Sequence, residues 1–401
     1  MGPIRGGQKK KRKTESKAEP TQNNSMASGS SSGAASGSSE DVSTDWFDDV
    51  AERIASNLNL SPARGLDLFQ TIFNMSRRTF EYVCSLAREH MILKTHYVFN
   101  NGQPLSLYDQ VALALRRLSS GSSLIQIGDS FGVHHSTVSQ VTWRFVEAME
   151  VKGRQHLRWP ASQQVLDDIK SQFEQIRGLP NCCGAIDITH ILMLLSTSET
   201  AAHVWLDRKE NHSMVLMGIV DPNMRFLEIL TGLPGMLTDT IMLQNSKFFH
   251  SCQNGQRLNG EKLKLSERAE MQEYIIGDTG FPLLPWLMTP YQGKDLPEAK
   301  AEFNKRLMAT RVVSQRAFAR LKHVWKMIDG VMWRPDKHRL PRFIYVCCIL
   351  HNIIIDMEDE VSDTLPVSQD HDPGYRMELC DYVDDTAADS RDAFSWYLAR
   401  K

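Results

Sequence analysis

The chain has 401 residues, with 46 Lys and Arg against 48 Asp and Glu, a formal net charge of −2. Hydrophobic residues make up 41% and charged residues 23%, a globular composition with apolar mass for two or three domains. This balance excludes a uniformly basic nucleic-acid binder but leaves room for local basic faces. No apolar run approaches the roughly 18 residues of a bilayer span, and no apolar segment of the signal-peptide kind opens the chain. Seven cysteines without CxxC spacing fit neither a disulfide framework nor a zinc finger. These features describe an intracellular, reduced protein with no membrane partner.

Residues 1–42 begin with the run Lys9, Lys10, Lys11, Arg12, Lys13 and continue as a Ser-, Gly- and Asn-rich stretch. That stretch buries too little apolar surface to offset its ordering entropy, so the arm is expected to be disordered. A dense basic run in an accessible arm reads as a nuclear-import peptide and places the protein in the nucleus.

Residues 43–158 repeat apolar side chains at helical spacing: Phe69, Ile72, Phe73, then Phe80, Val83, Cys84. Further on, the short helix Leu124 to Phe131, the turn at Gly132-Val133 and a longer helix from His135 to Met149 have the form of a helix-turn-helix. Val138, Val141, Phe145 and Met149 supply the core stripe of that last helix. Ser136 and Thr137 at its start, with Arg144 further along, are the candidate DNA contacts; Lys152, Arg154 and Arg158 add phosphate-binding charge. A trihelical bundle that never meets DNA explains the same stripe.

Residues 159–357 change period. After a polar helix from Ser162 to Arg177, Cys183 to Ile188 reads as a buried strand ending near an acid. Ser213 to Val220 and Arg225 to Thr231 read as a hairpin turning at Asp221-Pro222-Asn223, and Tyr274 to Ile276 as a further strand. Helices are expected over Thr238 to Phe248, Ala299 to Ile328 and Leu340 to Met357, an α/β or α+β arrangement. Residues 358–401 form an acidic tail with twelve acids against four bases, expected to be partly solvated, although Phe394, Trp396, Tyr397 and Leu398 are able to dock.

Strand ends are where an open sheet presents functional groups. Asp187 is placed at the end of the first strand, Asp239 after the turn Gly232 to Gly235, and Asp278 after the later strand. Carboxylates converging from separate segments hold Mg²⁺ or Mn²⁺, and such ions activate water in phosphodiester cleavage. Helix caps and turn residues are the plainer explanation of the same aspartates.

The words around the acids carry more information. Gly184-Ala-Ile-Asp187-Ile-Thr189-His190, Gly232-Leu-Pro-Gly-Met-Leu-Thr-Asp239, Gly277-Asp278-Thr-Gly-Phe-Pro, Arg316-Ala-Phe318-Ala-Arg-Leu321-Lys322 and Leu350-His351-Asn352 occur in that order. Together with the helix-turn-helix they resemble the PIF/Harbinger family of DDE transposases over residues 60 to 357. The resemblance implies a ribonuclease-H-like nuclease domain with Asp187, Asp239 and Asp278 as metal ligands, and His190 as a structural partner. The family's last acid stands immediately before the Arg-Ala-Phe run, where this chain has Gln315. An amide carries no charge and its NH₂ end ligates no cation, so a divalent metal is expected to bind weakly and catalysis to be impaired. The resemblance then implies a domesticated transposase acting as a nuclear chromatin protein that opposes Polycomb-type silencing. Its implied partners are subunits of the Polycomb methyltransferase complex, a Myb-like or trihelix DNA-binding protein, and DNA itself. A metal-dependent DNA nuclease that tolerates Gln315 is the first alternative, and a helix-turn-helix transcription regulator the second.

A fluorescent reporter fused to residues 1–20 is expected to accumulate in the nucleus. A reporter left evenly spread or cytoplasmic would remove the import role of Lys9 to Lys13.

Overall fold

Short polar residues set where the N-terminal helices begin. In the computed structural model, residues 44–58, 61–62, 67–92, 96–196, 202–267, 269–333, 335–357 and 379–400 are described; the Lys9 to Lys13 run lies outside them. The helices are α1 (Thr44–Leu58), α2 (Leu68–Phe73), α3 (Arg77–Ile92), α4 (Leu107–Ser120), α5 (Leu124–Phe131) and α6 (His135–Lys152). Asp67, Ser106 and Ser123 cap α2, α4 and α5 through reciprocal bonds with Gln70, Asp109 and Gln126, satisfying backbone donors that the first helical turn leaves free. Gly132, at φ +68°, ends α5 in the left-handed conformation and turns the chain into α6. The core of these helices is aromatic: Phe47, Phe69 and Phe80 meet edge to face at 5.0–5.9 Å. Val138, Val141, Phe145 and Met149 of α6 are wholly buried, as their spacing requires.

The second half starts with α7 (Gln163–Arg177) and the strand β1 (Cys182–Leu194), followed by β2 (His212–Val220) and β3 (Phe226–Pro234). Next come α8 (Asp239–Gln244), α9 (Lys247–Gln253), the two-residue strands β4 (Leu263–Lys264) and β5 (Glu270–Met271), then β6 (Tyr274–Ile276) and β7 (Leu287–Met288). Helix α10 (Glu298–Val324), strand β8 (Met332–Trp333), α11 (Leu340–Met357) and α12 (Asp385–Arg400) complete the order. The main sheet runs β3-β2-β1-β6-β7: the first three strands form an antiparallel meander, and β6 and β7 lie parallel to β1. Strand β8 pairs the far end of β1. This mixed α/β order, with an antiparallel half and a parallel half, is the ribonuclease-H-like arrangement.

Two of the expected elements are redrawn. Strand β1 runs past Ile188 to Leu194, because Ile191 and Met193 keep burying into the sheet; Asp187 therefore sits mid-strand rather than at a strand end. The helix expected over Thr238 to Phe248 is two helices, broken where Ser246 caps α9. Helix α11 is, among the described residues, the one helix long and apolar enough to cross a membrane by length and composition. It has the expected bounds, and Pro341, Arg342, His351 and Asn352 interrupt its apolar run. Here it is a core helix, with Ile344, Val346 and Ile349 fully buried.

Helix α11 joins the two halves, which belong to one compact unit from Ser43 onward. The ring of Trp143 on α6 lies between the guanidiniums of Arg339 and Arg342, at 4.4 and 4.3 Å from its centroid, and Arg342 also pairs with Glu150. On the other side, Asn352 treats the edge of β3 as a partner strand would. Its Oδ1 accepts the Phe226 N–H and its Nδ2 donates to the Phe226 carbonyl, at 2.9 and 2.8 Å, while Nδ2 also donates to the His156 carbonyl. His351 Nε2 donates to the Met224 carbonyl at 2.9 Å.

Burial lowers the His351 pKa from 6.5 to about 3, so the folded imidazole stays neutral where the unfolded one takes up a proton. Its contribution to stability is present above pH 6.5 and is lost as pH falls toward about 3. His351→Gln is expected to cost about 1–3 kcal/mol at pH 7. Urea melts of both proteins should then converge as pH drops through that window; a constant difference would remove the assignment.

Candidate metal and nuclease site

Asp187 lies on β1 directly across from Gly218 of β2. A Cβ at Gly218 would stand 2.9 Å from the Phe226 ring and 3.0 Å from Phe318 Cζ, so the glycine lets α10 settle onto the sheet beside the acid. The Arg316-Ala317-Phe318 motif does the settling: Ala317, Phe318 and Leu321 are fully buried, and Lys322 Nζ donates to the His190 carbonyl at 3.1 Å. That register delivers two side chains of α10 to the acids.

The first is Arg311. Its Nη2 is 3.4 Å from Asp187 Oδ2 and 3.0 Å from Asp278 Oδ2, one guanidinium shared between carboxylates of a strand and a loop. The second is Ser314, whose Oγ is 3.0 Å from the same Asp187 oxygen and 2.8 Å from the Arg311 carbonyl. Asp187 Oδ1 accepts the Ile188 N–H, and Asp278 Oδ1 accepts the Gly280 N–H. Asp278 is raised above the ordinary carboxylate range, chiefly by burial and then by the Asp187 charge, with Arg311 opposing both.

Asp239 opens α8 behind the cap Thr238. Its Oδ2 is buried without a hydrogen-bond partner. Burial first, then Asp278 and Asp187, push its pKa to about 8, while Arg208 and Arg311 pull the other way. All three aspartates thus act on one another electrostatically, although among the described residues no group of three or more His, Cys, Asp or Glu is spaced as a ready ligand set. Three carboxylates, one with an orphaned oxygen, are donors suited to a hard divalent cation.

Gln315 is half-buried beside Ser314 and has no hydrogen-bond partner among the described residues. The expected hydrogen bond from the Gln315 amide to a neighbouring carboxylate is therefore not made. Arg311, one helical turn earlier, is the α10 side chain that pairs with the acids. Sequence reasoning missed Arg311 and Ser314; their only signal was their offset of four and one residues from Gln315. His190 Nδ1 lies 3.0 Å from Ser213 Oγ.

The acid loops are also strapped by the described C-terminal residues 379–400, of which Phe394 and Leu398 are buried. Cys380 donates its N–H to the Thr279 carbonyl at 2.8 Å, accepts from Gln292 Nε2 at 3.2 Å, and sets Sγ 3.3 Å from Thr240 Oγ1. One residue thus touches the neighbours of both Asp239 and Asp278. Beyond it α12 docks through Phe394, buried against Tyr274 and Phe303, and through the Lys300–Asp392 pair.

The expected DNA contacts part company. Ser136 is exposed at the start of α6 and Thr137 half-exposed, with His134 Nδ1 capping the helix and meeting Ser136 Oγ at 2.8 Å. Arg144 instead turns inward: it donates to the His90 carbonyl at 3.0 Å and lies over the Tyr97 ring. Lys152 pairs with Glu89 at 2.5 Å.

Because the folded Asp239 keeps its proton to about pH 8 and the unfolded residue releases it near 3.8, wild-type stability falls as pH rises through that interval. Metal-free Asp239→Asn should therefore melt above wild type, by a margin that widens from pH 4 to pH 8 and levels beyond. A margin independent of pH would show that no such penalty exists.

Set against known proteins, residues 186–352 match the family model described as DDE superfamily endonuclease. The chain is 52% identical over 360 residues to the protein ALP1-like of Arabidopsis thaliana, covering 90% of this chain and 87% of that one. It is 42% identical over 405 residues to the protein antagonist of like heterochromatin protein 1 of Arabidopsis thaliana, spanning the whole of both. The putative nuclease HARBI1 of Homo sapiens is 26% identical over 72% of this chain and 78% of its own length. No solved structure matches. With its aspartates on a ribonuclease-H-like sheet and full-length relatives of this kind, the chain belongs to the transposase-derived DDE superfamily endonucleases.

Proposed function

We propose that this protein is a domesticated DDE transposase that has lost efficient cleavage and serves in the nucleus as a chromatin-associated binding protein opposing Polycomb-type silencing. The observation that carries this reading is Gln315. It follows Ser314 on α10, one turn after Arg311, and the family resemblance puts a carboxylate at this position, so on this reading an amide replaces a ligand. A divalent cation here, Mg²⁺ or Mn²⁺, would be held by Asp187, Asp239 and Asp278 and would supply activation of water for phosphodiester hydrolysis. The chain's own residues weaken that function: Gln315 adds no charge, and Arg311 pairs with two of the three carboxylates and offsets one negative charge. The full-length relative named for antagonising like heterochromatin protein supports the chromatin side of the reading. The partners that follow are subunits of the Polycomb methyltransferase complex and a Myb-like or trihelix DNA-binding protein. Ser136 and Thr137 remain available to DNA.

A retained nuclease is the second reading, favoured by the orphaned Asp239 oxygen. Purified protein incubated with supercoiled plasmid in Mg²⁺ or Mn²⁺ separates the two. Wild type is expected to nick at the level of Asp187→Ala, and tagged protein recovered from nuclei to carry Polycomb methyltransferase subunits. Gln315→Glu should lose about 1 kcal/mol of metal-free stability through added like-charge repulsion and gain more than wild type from Mg²⁺ in thermal melts. Nicking by wild type that Asp187→Ala abolishes would replace the binding reading with the nuclease.

A further inference from the structure

We infer that Arg311 is a resident counter-ion that competes with a divalent cation for the same two oxygens, Asp187 Oδ2 and Asp278 Oδ2. The inference rests on the reading of these aspartates as a former metal site and adds what now holds them together. Two carboxylates from different segments do not stay close in a buried place without positive charge between them. Arg311 is itself buried, reaches both acids through a single nitrogen, and comes from the helix that also carries Gln315.

The remaining acceptor is consistent with a stand-in, since Asp239 Oδ2 is buried without a partner and Arg311 does not reach it. Arg311 Nε is also buried without a partner, as are the Nε atoms of Arg116, Arg225 and Arg391. A cation gripping Asp187 and Asp278 would meet the guanidinium at the distance of those contacts, and like charges that close repel strongly in a poorly hydrated site. Metal entry thus requires Arg311 to withdraw. A glutamate at position 315 would have added negative charge to favour the ion; Gln315 leaves the competition on the side of the arginine.

Mn²⁺ is the probe, read by the loss of its free-ion paramagnetic resonance signal and by thermal melts. Arg311→Met should melt below wild type without metal and bind Mn²⁺ about tenfold or more tighter, because the competing charge is gone. Asp278→Asn placed in the Arg311→Met background should cancel the gain. Arg208→Met controls for general charge, since Arg208 also acts on Asp239; its effect should stay several-fold smaller. Equal Mn²⁺ affinity in wild type and Arg311→Met, an equal gain from Arg208→Met, or no loss of metal-free stability would each overturn the inference. Should Arg311→Met fail to fold, Arg311→Gln is read by the same criteria. Plasmid nicking by the same preparations keeps the two readings apart: wild type that nicks while Arg311→Met binds Mn²⁺ tighter upholds the competition and sinks the impaired-nuclease reading.

Discussion

Negative charge gathered in a buried place has to be answered, and in this protein the answer comes from a helix. Asp187 sits in the middle of the central strand, Asp278 follows a neighbouring parallel strand, and Asp239 begins a short helix. No local rule keeps such groups near one another; burial and mutual repulsion both favour losing the charge. The structure meets this in three ways. Arg311 spans two of the acids, backbone N–H groups of Ile188 and Gly280 take one oxygen each, and Asp239 retains its proton toward pH 8. Removing the guanidinium would therefore disturb the meeting of β1, α10 and the loop after β6.

Around that centre the fold uses side chains to finish what the backbone leaves open. Strand β3 is a sheet edge, and an edge exposes unpaired donors and acceptors. Asn352 satisfies both groups of Phe226 and ties them to the His156 carbonyl, so helix, sheet and N-terminal half share one amide. His351 adds the Met224 carbonyl. The Leu-His-Asn run is thereby explained by architecture and not by chemistry on a substrate. At the opposite side, the strap at Cys380 and helix α12 close over the loops that bear Asp239 and Asp278.

Much of this was legible in residue order. The apolar period marked the helices through α6, the hairpin of β2 and β3 followed from alternating faces, and the words around the aspartates carried the family. What remained illegible depends on distance in sequence. That Arg311 faces Asp187 needs the register of α10 on the sheet, and that register comes from Phe318 entering the space left by Gly218, exactly one hundred residues away. Arg144 read as a free cation because periodicity gives no sign of a carbonyl at His90 or a ring at Tyr97. In the acidic tail the apolar anchors Phe394 and Leu398 were visible in the sequence, but the surface they bury against, far away in residue order, was not.

On the proposed reading, Gln315 and the arginine one turn before it form a single charge balance. A nuclease of this kind needs surplus negative charge at rest, because a hydrated divalent ion is drawn in by anionic ligands. With Gln315 in place and Arg311 paired, the resting site has three carboxylates, one guanidinium and one retained proton, and so lacks most of that surplus. The same balance favours the metal-free fold, since a fourth carboxylate would have increased repulsion that a single guanidinium could not answer. A chain released from cleavage gains from such a change, whereas one still selected for it loses. On the proposed reading the three aspartates serve as a packing device: α10 supplies, in Arg311, positive charge beside Asp187 and Asp278 that favours their burial.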